Sequence, residues 1–105
     1  MIGDKGMKVL ELAVYEIPKS DEGMRNLLEF NEKVKEYWEE RLKEFNVKRT
    51  VWMDGTGKYY SMYEYASYHA FAQFQDDEEI QRIISGHFRL VSNGKREILR
   101  EFFVS

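Results

Sequence analysis

The stretch VKRTVWMDGTGKYYSMYEY, residues 47–65, reads as two strands and the turn that joins them. Val47 to Met53 and Lys58 to Tyr65 are rich in β-branched and aromatic residues, and Asp54-Gly55-Thr56-Gly57 between them is a hairpin signal. A sheet with one face in water alternates between apolar and polar residues, whereas both of these strands carry large side chains at odd and even positions. Each face of the sheet therefore needs a cover. An even loop centred on Gly55-Thr56 sets Trp52 opposite Tyr59, Thr50 opposite Ser61 and Lys48 opposite Tyr63. That pairing puts Trp52, Tyr59, Ser61, Tyr63 and Tyr65 on one face, and Val47, Arg49, Val51, Tyr60, Met62 and Glu64 on the other. A bulge would swap one strand's assignment.

Upstream, Val9 to Ile17 predicts a strand closed by Pro18, with Leu10, Leu12 and Val14 on one face and Val9, Glu11, Ala13 and Tyr15 on the other. Ser20 is a suitable N-cap, and Met24, Leu27, Leu28, Val34, Trp38, Leu42 and Phe45 recur at helical spacing, so a helix runs to about Phe45 with Asn46 as a left-handed stop. Downstream, Ser67 caps a helical region that Asp76-Asp77 breaks, giving pieces at about Tyr68 to Phe74 and Asp77 to Ser85. A short turn spans His87 to Val91, Asn93-Gly94 signals a turn, and Arg96 to Val104 forms the last strand, with Ile98, Phe102 and Val104 opposite in face to Leu99 and Phe103. Met1 to Gly6 reads as a flexible arm before one domain over residues 7–105. The order β-α-β-β-α-β specifies an α+β, ferredoxin-like split βαβ sandwich with two helices on one face of four antiparallel strands.

Helices cover one face only. The other would expose several hundred Å² of apolar surface, beyond what monomers usually leave open, so a homodimer packed sheet on sheet is expected. A net charge of −3 without a basic stripe argues against nucleic acid and anionic membranes as partners. There is no apolar run long enough to span a membrane and no cysteine, a composition that fits a cytoplasmic protein.

Candidate chemistry is sparse. The tyrosine-tryptophan face, with Trp52 and Tyr59, either lines a pocket for a flat ligand together with Trp38 of the first helix or simply packs. His69 and His87 are the groups that titrate near neutrality; His69 reads as a surface residue, while His87 is a candidate general base or a hydrogen-bonded turn residue. Arg49 and Glu64 share a face and form an expected ion pair, at a site or at the dimer interface. Glu11 and Glu101 are placed together on the helix-free face. The acids at 76–79 read as a cap and dipole partner, and no zinc spacing or phosphate loop is present, so no metal or cofactor is assigned.

Tyr63-Glu64-Tyr65-Ala66-Ser67-Tyr68-His69-Ala70-Phe71 resembles the strand-to-helix passage W-x-S-x-x-A-F of the dimeric α+β barrel superfamily. Gly86-His87-Phe88 is similar to the His-Phe pair after the second helix in its antibiotic-biosynthesis-type monooxygenases, and Trp52 to Gly57 is similar to the Trp-turn-Gly hairpin of its NIPSNAP-like members. The resemblance covers Lys8 to Val104. It implies a dimeric barrel whose pocket lies between sheet and helices, with Tyr65, Tyr63, Tyr59 and Trp52 facing it and Arg49 and Glu64 lining the barrel between subunits. Phe74 stands where monooxygenase-type members often carry His. Ala13, Tyr65 and Ser92 stand where haem-degrading members carry Asn, Trp and the axial His. The function implied is binding of a small, flat, mostly apolar ligand by a homodimer, with cofactor-independent monooxygenation as the reaction, His87 as base and Tyr63 or Tyr65 as the orienting hydroxyl. A non-catalytic interaction dimer and a haem-binding protein are the alternatives.

Overall fold

Period-two alternation makes β1 (Val9–Glu16), in which Val9, Glu11, Ala13 and Tyr15 are all buried. Ser20 then opens α1 (Asp21–Glu44) by accepting from the Gly23 N–H, with Asp21 and Glu22 at the positive end of the helix dipole. Asn46 stops it at φ 56°, the left-handed value expected of it. The hairpin follows as β2 (Lys48–Met53) and β3 (Lys58–Tyr65). Ser67 caps α2 (Tyr68–Asp76) and Asp77 caps α3 (Glu78–Leu90), each through a side-chain oxygen on a first-turn N–H. The last strand is β4 (Ser92–Arg100). This computed structural model describes residues 7–101. The expected arm at Met1 to Gly6 and the facing of Phe102, Phe103 and Val104 lie outside the described residues.

The strands form one antiparallel sheet in the order β2-β3-β1-β4, the split βαβ arrangement. All three helices lie against one face. The core sits there, around Val9, Leu42, Val47, Tyr65, Phe74 and Ile80, and rings dominate it: Phe74 meets Trp38, Phe45 and Tyr65 edge-on at centroid distances of 5.5–5.8 Å.

The turn corrects the expected facing of β2. Asp54 N–H donates to the Lys58 carbonyl at 3.0 Å and Gly57 adopts φ 91°, so the loop has three residues and ends in a left-handed glycine bulge. Asp54 fixes this geometry: its Oδ1 accepts from the Thr56 N–H, the Thr56 hydroxyl and the Lys58 N–H at 2.7–3.1 Å. Those bonds, Thr56's first, hold its carboxyl down to about 2. The odd loop pairs Trp52 with Tyr60, Val51 with Ser61 and Arg49 with Tyr63. Arg49, Val51 and Met53 therefore share the helix-covered face with Tyr59, Ser61, Tyr63 and Tyr65. Trp52 moves to the open face, where it is 63% exposed.

The end of the chain also differs from expectation. The helix runs through His87 to Leu90, and β4 begins four residues early. Asn93-Gly94 marks a bulge rather than a turn: Val14 pairs with Lys95 but Glu16 with Ser92, and Asn93 sits at φ 52°. Gly94 is required there, because a Cβ would collide with the Phe88 ring.

Candidate functional site

A cavity of about 380 Å³ opens between the sheet and the α1–α3 pair, within the size range of small-molecule pockets. Its floor is sheet: Glu11, Ala13 and Tyr15 from β1, Arg49 from β2, Ser61 and Tyr63 from β3, and Arg96 from β4. The apolar part of its walls is Trp38 and Val34 from α1, Phe74 from α2, and Ile83, Ile84 and Phe88 from α3, and the exposed Glu32, Lys35 and Glu39 of α1 also line it. Gly86 brings α3 close enough to place its neighbour, His87, over the floor; a Cβ there would stand 2.9 Å from the Phe30 ring of α1.

His87 lines the cavity, its ring edge-on to Tyr15 at 4.9 Å and to Phe88 at 6.0 Å. Burial, and after it the charge of Arg49, hold the imidazole below its ordinary pKa. The ring is thus a neutral base with a free lone pair near neutral pH. Burial pushes the Tyr63 hydroxyl up to about 12, against the opposing charge of Arg49, so this phenol stays a proton donor. Trp38 closes on Tyr63 edge-on at 6.2 Å. Tyr15 and Ser61 share a hydrogen bond of 3.2 Å across the floor.

Three expected site residues, His87, Tyr63 and Trp38, thus converge on one cavity. Others are placed differently. Tyr65 is fully buried behind the floor, its hydroxyl donating to Glu11 Oε1 at 2.8 Å, and burial with the adjacent carboxylate drives its pKa far above the ordinary value. It has no face on the cavity. Tyr59 stacks on Tyr15 at 5.7 Å, one ring outside the lining. Trp52 is excluded by its position on the open face. The Arg49–Glu64 pair does not form, because the odd turn puts the two on opposite faces; Glu64 pairs instead with Lys8 at 3.0 Å. Glu11 and Glu101 are also apart. Glu11 is on the covered face, and Glu101 accepts from the Lys8 N–H. His69 is exposed, as expected.

Sequence reasoning missed the centre of the floor. Glu11 Oε2 accepts from Arg96 Nε at 2.6 Å and makes an ion pair with Arg96 Nη2, while Gln75 Oε1 accepts from the same guanidinium at 3.0 Å. The signal was a lone acid in an otherwise apolar alternation, Val9-Glu11-Ala13-Tyr15, which implies a buried partner. No three potential metal ligands cluster among the described residues. At the positions where haem-degrading members carry Asn, Trp and the axial His, Ala13 is part of the floor, Tyr65 is sealed behind it, and Ser92 is exposed at the head of β4. No described helix is long and apolar enough to cross a membrane.

No protein-family model matches this chain, and no curated protein does. Among solved structures it is similar to the crystal structure of a NIPSNAP family protein from Agrobacterium tumefaciens strain C58, at 18% identity and a TM-score of 0.57. The likeness covers 98% of this chain and 97% of that one. It is a likeness of fold, and at that level the α+β, ferredoxin-like architecture and the NIPSNAP-like resemblance expected from the hairpin are both borne out.

Proposed function

We propose that this chain binds a small, flat, mostly apolar molecule between its sheet and helices, with His87 as the base that acts on it. The observation that supports this most is the neutral His87 ring set over a cavity walled by Trp38, Phe74, Ile83 and Phe88. A ligand ring has aromatic and aliphatic walls to pack on, the Tyr63 hydroxyl to orient it, and one lone pair placed to take a proton. If the deprotonated ligand is electron-rich enough to react directly with dioxygen, the same parts serve a cofactor-independent monooxygenase. In that reaction the protein supplies shape, a base and a dry site, and the substrate supplies the electrons. Titration with 2-naphthol, followed by aromatic NMR, is expected to shift Trp38, Tyr63 and His87 saturably and to leave Trp52 unmoved. Shifts confined to Trp52 and the open face, or none, contradict this reading.

We also infer a homodimer through the open face of the sheet. Leu10, Leu12, Val14, Met62 and Tyr60 lie there half-buried, and Trp52 and Leu99 are exposed at 63% and 43%. Such a contiguous apolar face in water is unfavourable and is relieved by a second copy. Light scattering is expected to give twice the chain mass, falling to one chain in Met62→Asp; a wild-type monomer at micromolar concentration contradicts it. A dimer of this kind also serves a non-catalytic interaction module, for which the open face is the supporting observation.

A further inference from the structure

The cavity holds two arginines in different states. Arg96 is neutralised by Glu11 and further satisfied by Gln75. Arg49 forms no ion pair with any described residue. It lies directly across from Tyr63 in the β2–β3 register, on the same face, so the two side chains are cross-strand neighbours at the cavity's edge. The other charges lining the cavity, Glu32, Lys35 and Glu39, sit on exposed positions of α1. None of them pairs with Arg49, and both signs are present among them.

We propose that the ligand carries one oxyanion, a carboxylate or the ionised oxygen of an acidic enol or phenol, which Arg49 and the Tyr63 hydroxyl hold beside His87. This rests on the ligand-binding reading above and specifies the chemical class of that ligand. A guanidinium presents a planar fork of donors that matches a carboxylate, and a neutral phenol adds a donor to the same oxygen. Edge-held anion and apolar wall then fix both ends of the molecule, with its ring toward Trp38 and Phe74. His87 is left facing the atoms next to the anionic group, where removal of a further proton yields charge that Arg49 also stabilises.

The test compares 2-naphthoate with its neutral isostere 2-naphthamide by calorimetry on the wild-type protein, Arg49→Gln and Arg49→Lys. The acid is expected to bind about tenfold tighter than the amide, the difference typical of a charge-assisted bond. Arg49→Gln is expected to remove that preference while leaving the amide within about threefold, and Arg49→Lys to restore it in part, because the ammonium lacks the fork. Arg49 is exposed on an edge strand, so both variants are expected to keep the wild-type melting temperature. Equal binding of acid and amide, or an acid affinity unchanged in Arg49→Gln, overturns the oxyanion while leaving the cavity as a ligand site. Absence of binding by both, together with no response to 2-naphthol, overturns the ligand-binding reading as well.

Discussion

Phe74→Ala is expected to lower stability by about 4 kcal/mol. Phe74 is 1% exposed and is the point where three parts of the fold meet: Trp38 and Phe45 of the α1 end, Tyr65 of β3, and the cavity wall. Alanine removes the transfer free energy of a whole ring. The hole it leaves joins the existing cavity, so neighbours gain little by collapsing into it. For a domain of this size each kcal/mol moves the melting temperature by roughly 4–8 °C, so thermal unfolding followed by circular dichroism is expected to fall by at least about 15 °C. Phe74→Leu keeps most of the volume and is expected to cost about 1.5 kcal/mol or less. A loss below about 1 kcal/mol in the alanine variant would mean that the rings do not pack as described.

Glu11→Gln is the second large effect, expected at about 3 kcal/mol. The glutamate side chain is 4% exposed and holds two partners at once, the Tyr65 hydroxyl and the Arg96 guanidinium. The amide keeps the shape and loses the charge. It also turns a donor toward groups that are themselves donors, leaving the partly exposed Arg96 cation short of its counter-ion. Arg96 is 32% exposed, and water reaching it places the cost at the low end for a broken buried pair. Glu11→Gln with Arg96→Met removes both members and is expected to recover about half of the loss, since an apolar replacement of a buried pair is often near neutral. Urea unfolding of the two singles and the double measures this cycle. Strict additivity would show that Glu11 and Arg96 do not act as a pair.

Much of this molecule was legible in its sequence because local and global signals agree. Ser20, Ser67 and Asp77 cap helices as their position before helical periodicity implies, and Asn46 takes the left-handed stop. What was not legible came down to parity and to a glycine with a second use. The Asp54-to-Lys58 turn contains two glycines, and either an even or an odd loop is chemically reasonable. One residue of difference sends every side chain of β2 to the other face. The hydrophobic pattern did not arbitrate, because β2 carries large residues on both sides. That single step moved Trp52 out of the site, brought Arg49 in, and dissolved the expected Arg49–Glu64 pair. Gly86 reads as a helix end, yet it serves close packing against Phe30, and the helix continues through His87. His87 reached the cavity from a helix instead of a turn. Glu11 and Arg96 are far apart in the chain, and only the β1–β4 register brings them together.

The cavity between sheet and helices, and its use, are tested most directly by a crystal structure of the protein grown with 2-naphthol. The expected result places the compound's rings between Trp38 and Phe74, with its hydroxyl in hydrogen-bonding reach of Tyr63 or His87. A structure in which Trp38 and Phe88 turn inward, fill the space and leave the compound unbound would contradict it.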